Sequence, residues 1–197
     1  MKKTFPLVLL LIVVLIGFSS CSSYNSMVSL EEGVESSWSQ VENVYQRRAD
    51  LIPNLVETVK GAANFEKETL TDVIEARAKA TQIQASLSSD VVNDPQTFQK
   101  FQEAQGALSG ALSRLLVTVE RYPDLKANQN YLTLQSQLEG TENRIAVERK
   151  HYNDAERAFN TKIRRFPASI IANLTGLQKK QYFQAEAGAE EVPKVKF

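Results

Sequence analysis

Few residues of this 197-residue chain are equipped for chemistry. His151 is its one histidine, and it follows Glu148 by three positions. Glu-x-x-His on a helix projects both side chains to one side, which is half of a carboxylate-bridged di-iron centre. The other half needs a second histidine that this sequence does not contain, so the pair reads as surface residues beside Lys150. A lone cysteine, Cys21, excludes a disulfide framework and every multi-cysteine metal site. No Ser-His-Asp or Cys-His arrangement and no phosphate-cradling glycine loop is present. No catalytic residue, metal or cofactor is therefore expected.

The more informative group is polar. Arg47, Arg48, Asp50 and Asn54 surround Pro53, and Glu139, Glu142, Asn143 and Arg144 surround Gly140. Pro53 deletes a helical hydrogen bond, so a helix there either kinks or restarts with Asp50 as its N-cap. Arg48 falls on an otherwise apolar stripe, where an unpaired charge is costly. It is expected to pair inside the fold with Glu139, Glu142 or, one turn further along the seam, Glu148. Two roles are open to such a pair: a buried ion pair that fixes helix register, or the floor of a polar groove that takes a partner or small ligand.

The elements that must position these residues are helices. Val34, Trp38, Val41, Tyr45, Arg48, Ile52, Leu55, Val59 and Ala62 keep a three-then-four spacing, as do Phe98, Phe101, Gln105, Leu108, Leu112, Leu115, Val119 and Tyr122. Residues 64–89 hold the spacing more weakly, with Arg77 and Gln84 interrupting Leu70, Val73, Ala80 and Leu87. Asp94-Pro95 reads as an N-cap with a first-turn proline. A last stripe from Tyr131 to Phe166 predicts one helix of about 40 residues over 125–166. Ile170, Ile171, Leu174 and Leu177 are expected to cap the end of the bundle. Gly106 and Gly110 are expected to let two helices approach closely. Trp38 and the stripe tyrosines are expected in the core. Seven-residue repeats of this length describe an all-α, elongated antiparallel bundle of four main helices plus a short C-terminal one.

The front of the chain is an address. Lys2 and Lys3 precede ten aliphatic residues at 7–16, and polarity returns at Gly17. This is the layout of a secretory signal, too short for a spanning helix. Phe18-Ser19-Ser20-Cys21 resembles the lipobox of bacterial lipoproteins, with phenylalanine where leucine is usual. The resemblance implies lipid on Cys21, and two or three acyl chains hold a protein durably to a bilayer. The expected organisation is a signal peptide at 1–20, a lipidated tether at 21–29, the bundle at 30–183 and a disordered tail at 184–197. Lys2 and Lys3 stay cytoplasmic, which places the rest on the exported side of the envelope. With 23 basic and 23 acidic residues and basic residues in twos at most, nucleic acid is not a partner.

Three strings are specific. Arg47-Arg48-Ala49-Asp50-Leu51-Ile52-Pro53-Asn54-Leu55-Val56, Tyr122-Pro123-Asp124-Leu125-Lys126-Ala127-Asn128 and Leu138-Glu139-Gly140-Thr141-Glu142-Asn143-Arg144-Ile145 resemble signatures of the LemA family, as do Tyr152-Asn153 and Phe166-Pro167. The resemblance implies a bacterial, mostly helical protein attached to membranes by its N-terminal hydrophobic segment, often uncleaved. The resulting expectation is a membrane-anchored, non-enzymatic interaction or scaffold module with unidentified protein partners. Alternatives are a ligand-binding or catalytic bundle using Arg48, Asp50, Glu139 and Glu142, and a self-associating envelope protein.

Overall fold

The computed structural model describes residues 5–62, 65–86 and 89–184, and no strand occurs among them. Helix α1 (Phe5–Lys60) is followed by α2 (Lys67–Ser86), a 3-10 turn (Ser89–Asn93), α3 (Pro95–Val119), the single turn α4 (Pro123–Lys126), α5 (Gln129–Arg164) and α6 (Ala168–Thr175). Arg48 meets Glu142 and Trp38 meets Tyr152, ten residues apart in opposite senses, so α1 and α5 are antiparallel. Ion pairs Arg114–Asp72 and Arg121–Glu66 align α2 against α3 in the same way. The result is an up-down-up-down bundle.

The α1 stripe is buried from Val34 to Val59, and it reaches further back than expected. Met27 is 0% exposed and packs with the core residues around Trp38. Residues 22–29, expected as a tether, are therefore turns of α1, because Met27 and Leu30 continue the apolar spacing that leads to Val34. Residues 5–20 of the expected signal segment form the leading turns of the same helix, while residues 1–4 lie outside the described residues. Among the described residues no helix is long and apolar enough to cross a membrane.

Proline 53 does not restart the helix, and Asp50 caps nothing: it accepts a hydrogen bond from Gln46 at 2.8 Å on the surface. The carbonyl that Pro53 cannot bond belongs to Ala49, and Arg77 Nε of α2 donates to it at 2.8 Å. Gln84, one heptad along α2, donates likewise to the Glu42 carbonyl at 3.3 Å. The two polar interruptions of the α2 stripe thus bond the backbone of α1. Asp94 caps α3 as the sequence indicates, accepting from the amides of Gln96 and Thr97. Its carboxyl is held below the usual range, first by the Thr97 hydroxyl.

Three other expectations change. The helix over 125–166 is two helices, because Asn128 caps a fresh start by accepting from the amides of Asn130 (2.9 Å) and Tyr131 (3.2 Å). Helix α6 seats through the small residues Ala168 and Ala172, which allow close approach; Ile171 and Leu177 are half-buried, and Ile170 and Leu174 face outward. Gly106 and Gly110 mark no close helix contact: a Cβ at Gly106 meets nothing within 4 Å, and one at Gly110 meets only the Arg114 side chain at 3.8 Å.

Beyond Gly176, in the left-handed region at φ 74°, the chain returns as an extended strap over 177–184. Of the tail expected at 184–197, Gln184 ends this strap and the rest lies outside the described residues.

Candidate functional site

The interior is divided along its length. An aromatic cluster around Trp38, Phe98, Phe101, Tyr152 and Phe159 fills one half, and an aliphatic cluster around Leu55, Val59, Val73, Leu108 and Leu115 fills the other. A polar layer separates them, one turn thick on each helix: Arg48 on α1, Gln105 and Ser109 on α3, Thr141 and Glu142 on α5.

Arg48 is 1% exposed. Its Nη1 donates to Glu142 Oε1 and to Ser109 Oγ, both at 2.6 Å, and its Nη2 to the Gln105 side-chain oxygen at 2.5 Å and carbonyl at 3.3 Å. Its guanidinium also lies 5.1 Å from the centre of the Tyr45 ring. Four protein acceptors and a ring face hold the two Nη groups of this buried charge, while Nε, also buried, has no hydrogen-bond partner among the described residues. Glu142 keeps 42% of its side chain exposed, so the pair spans the boundary between core and solvent.

That exposure opens onto a cleft of about 820 Å³ between α3 and α5. Tyr45 and Arg48 form its floor; Gln99, Gln102, Gly106 and Ser109 line the α3 wall, and Ile145 and Arg149 the α5 wall. The guanidinium thus ties α1, α3 and α5 together and lies beneath a polar groove.

The other residues of the expected cluster are not gathered there. Arg47, Asn54 and Asn143 are exposed elsewhere on their helices. Glu139 accepts from Gln135 at 2.9 Å, and Arg144 faces Glu148 at 3.9 Å. His151 is exposed and 3.3 Å from Glu148. Cys21 is exposed on α1, before the first buried residue of the bundle.

One end of the cleft is closed by the strap, which sequence reasoning missed. Asn160 exchanges two hydrogen bonds with the main chain of Lys180 (3.0 and 3.1 Å), and Asn153 does the same for Phe183 (2.9 and 3.0 Å). Tyr152 donates to the Gln181 carbonyl at 2.9 Å, and Arg149 to that of Gln184 at 3.0 Å. Lys180 Nζ reaches Glu31 at 2.8 Å, while the Phe183 ring packs on Trp38, Phe98 and Tyr152. Heptad-spaced asparagines at 153 and 160 were the available signal: an amide on a seam position offers a donor and an acceptor at once. Beneath the strap Glu156 is fully enclosed, hydrogen-bonded to Asn160, and burial pushes its carboxyl up to about 8.

The chain is 26% identical over 181 residues to magnetosome protein MamQ 2 of Paramagnetospirillum magneticum, covering 85% of this chain but 66% of the relative. It is 24% identical to magnetosome protein MamQ of Magnetospirillum gryphiswaldense at the same coverage. It thus spans just under two thirds of the length of these relatives. It is also 25% identical over 184 residues to protein LemA of Metamycoplasma hominis, covering 93% of this chain and 79% of that one. The LemA family model matches residues 37–197, a span that contains the Arg48 layer, the cleft and the strap, and the chain belongs to the LemA family.

Proposed function

We propose that this chain is a membrane-anchored, non-catalytic protein of the bacterial envelope, and that the cleft between α3 and α5 docks a protein partner. The cleft itself carries the reading. It is long, open and lined by amides, with its one buried charge committed to neighbouring side chains. Glutamine amides and a rim arginine suit the main chain and polar groups of a polypeptide. No three His, Cys, Asp or Glu residues gather to hold a metal among the described residues. Anchoring is supported by the exposure of Cys21 on α1, six residues ahead of the buried Met27, which leaves the thiol accessible to acylation beside the bundle.

The test is a photo-crosslinking side chain at Gln99, on the cleft rim, in intact cells, with exposed Ser136 on α5 as control. A protein adduct is expected at Gln99 and not at Ser136. Gly106→Leu, whose Cβ enters open space on the α3 wall of the cleft, abolishes the adduct at a melting temperature that is not lowered. Equal adducts at both positions, or persistence in Gly106→Leu, removes the docking role. Cys21→Ser shifts the chain out of the membrane fraction if lipid is the anchor, and mass spectrometry of the native chain shows the added mass.

A further inference from the structure

Helix α6 has two unlike faces. Ala168 and Ala172 turn inward and are buried with Met27 and Val34 of α1, while Ile170 and Leu174 point out at 52% and 82% exposure. Phe166, four residues ahead of Ile170 at the turn out of α5, is 83% exposed. Three large apolar side chains at four-residue intervals form a strip, and a strip left uncovered in water marks a contact surface. The exposed apolar residues of the other helices, Ile74, Val117, Leu132 and Val147, stand singly.

Position and charge say what covers it. Lys180, held by Asn160 of α5, reaches Glu31 of α1, so the register set by Arg48 with Glu142 and Trp38 with Tyr152 runs on toward the end of α5. On that register Arg164 stands level with Ser26, and Phe166 lies two residues further toward Cys21. The strip is therefore at the end of the bundle from which the leading turns of α1 emerge, and those turns carry exposed Leu10, Leu11 and Phe18. The same end is cationic. Residues 157–184 contain six Lys and Arg and no Asp or Glu, in a chain that holds 23 of each sign. Arg157 pairs with Asp154, Lys180 pairs with Glu31, and Lys179 stands over the Tyr182 ring. Lys162, Arg164 and Arg165 make no ion pair among the described residues. The first exposed acids of α1, Glu32 and Glu35, lie about 9 Å or more further into the bundle than Arg164.

We propose that Phe166, Ile170 and Leu174 enter a lipid bilayer at its headgroup boundary, with Arg164 and Arg165 on anionic headgroups, so that α6 is a second membrane contact beside the N-terminal one. An apolar strip flanked by unpaired cations is the chemistry of an interfacial helix: the side chains reach the acyl boundary while the guanidinium groups meet lipid phosphates. This rests on the membrane-anchored reading, which already holds the strip near lipid, so that a helix too short to bind well alone engages as an intramolecular event. Two points of contact fix the tilt of the bundle on the membrane where one would let it swivel. The α6 contact does not use Cys21 and is measured without it.

The experiment is depth-sensitive fluorescence of the full chain carrying Cys21→Ser. One variant adds Leu174→Cys; the control adds Val117→Cys, exposed on α3 beside the aliphatic half of the core. Each is labelled with a nitrobenzoxadiazole fluorophore and mixed with phosphatidylcholine vesicles, with and without phosphatidylglycerol. Both replaced side chains are exposed, so folding, checked by far-ultraviolet circular dichroism, is retained. On the anionic vesicles the label at 174 moves to shorter wavelength and is quenched by spin-labelled lipid, while the label at 117 keeps its emission. Arg164→Glu with Arg165→Glu weakens the contact about tenfold or more, and so does leaving out the anionic lipid. A label at 174 that stays in water, behaves like the one at 117, or is quenched as strongly after charge reversal overturns the proposal. A shift without lipid quenching that grows with protein concentration also overturns it, and assigns the strip to a second copy. Acylated Cys21 in the native chain with no quenching at 174 removes this contact and leaves the anchor standing. Quenching at 174 with an unmodified native Cys21 retains this contact and removes the lipid anchor.

Discussion

Glu156 is fully enclosed beneath the strap, and desolvation lifts its carboxyl from the ordinary 4.5 to about 8, against the opposing hydrogen bond from Asn160 and the charges of Lys179 and Arg157. Folded, it is protonated at pH 7; unfolded, it ionises. Its contribution to stability is therefore whole below pH 4.5 and is lost progressively as pH rises through about 8. At about 1.36 kcal/mol for each pH unit, the interval from 4.5 to about 8 corresponds to at most about 5 kcal/mol. That is comparable with the whole stability of a marginal domain. Glu156→Gln keeps the shape and removes the proton equilibrium. Even half the full value is worth about 5–10 °C in melting temperature for a chain of this size. The assay is thermal unfolding, followed by circular dichroism in steps from pH 4.5 to 9, on a chain shortened to begin at Ser22. Native and variant should melt together near pH 4.5, and the variant should lead increasingly above pH 6. All other titrating groups are common to both, so the difference isolates Glu156. Parallel curves across that range would refute the argument.

Arg77→Met uncovers the Ala49 carbonyl and should cost about 1–2 kcal/mol in denaturant unfolding. With Pro53→Ala also present the cost should shrink, because residue 53 then supplies the missing N–H, and a double-mutant cycle reads that coupling. Gly106→Ala should stabilise the chain by about 1 kcal/mol, since α3 gains helix propensity and the methyl meets nothing, whereas a destabilised variant would mean α3 is more crowded there than described. Arg48→Ala should cost about 3 kcal/mol or more through Gln105, Glu142 and the hole left between two apolar clusters, visible as a lower denaturation midpoint.

Helix existence was readable because burial follows spacing: every α1 stripe residue from Val34 to Val59 is inside. Arg48 was readable for the same reason, as a charge on a buried stripe must find an acid, and Glu142 supplies it. What was not readable depends on contacts between distant segments. Nothing local says that Arg77 and Gln84 bond carbonyls of α1, so they look like defects in their own stripe. Gly106 looked like a contact point because glycine spacing reports an absent side chain and not what stands opposite it. The strap has no periodicity, since its order comes from amides on α5 and from the aromatic socket that holds Phe183. Asn128 was legible as a cap but was outweighed by apolar spacing on both sides of it.

Because α1 is unbroken from Phe5 through Cys21 to Lys60, it behaves as a shaft whose twist is transmitted. Each residue inserted between Cys21 and Met27 would turn everything beyond by about 100° and advance it by about 1.5 Å. The compass bearing of the Arg48 opening, relative to whatever grips the leading turns, is thus set by the count of residues in that short interval. Two related chains differing there by one residue would present the same opening a little more than a quarter-turn apart, with the bundle contacts from Met27 onward unchanged.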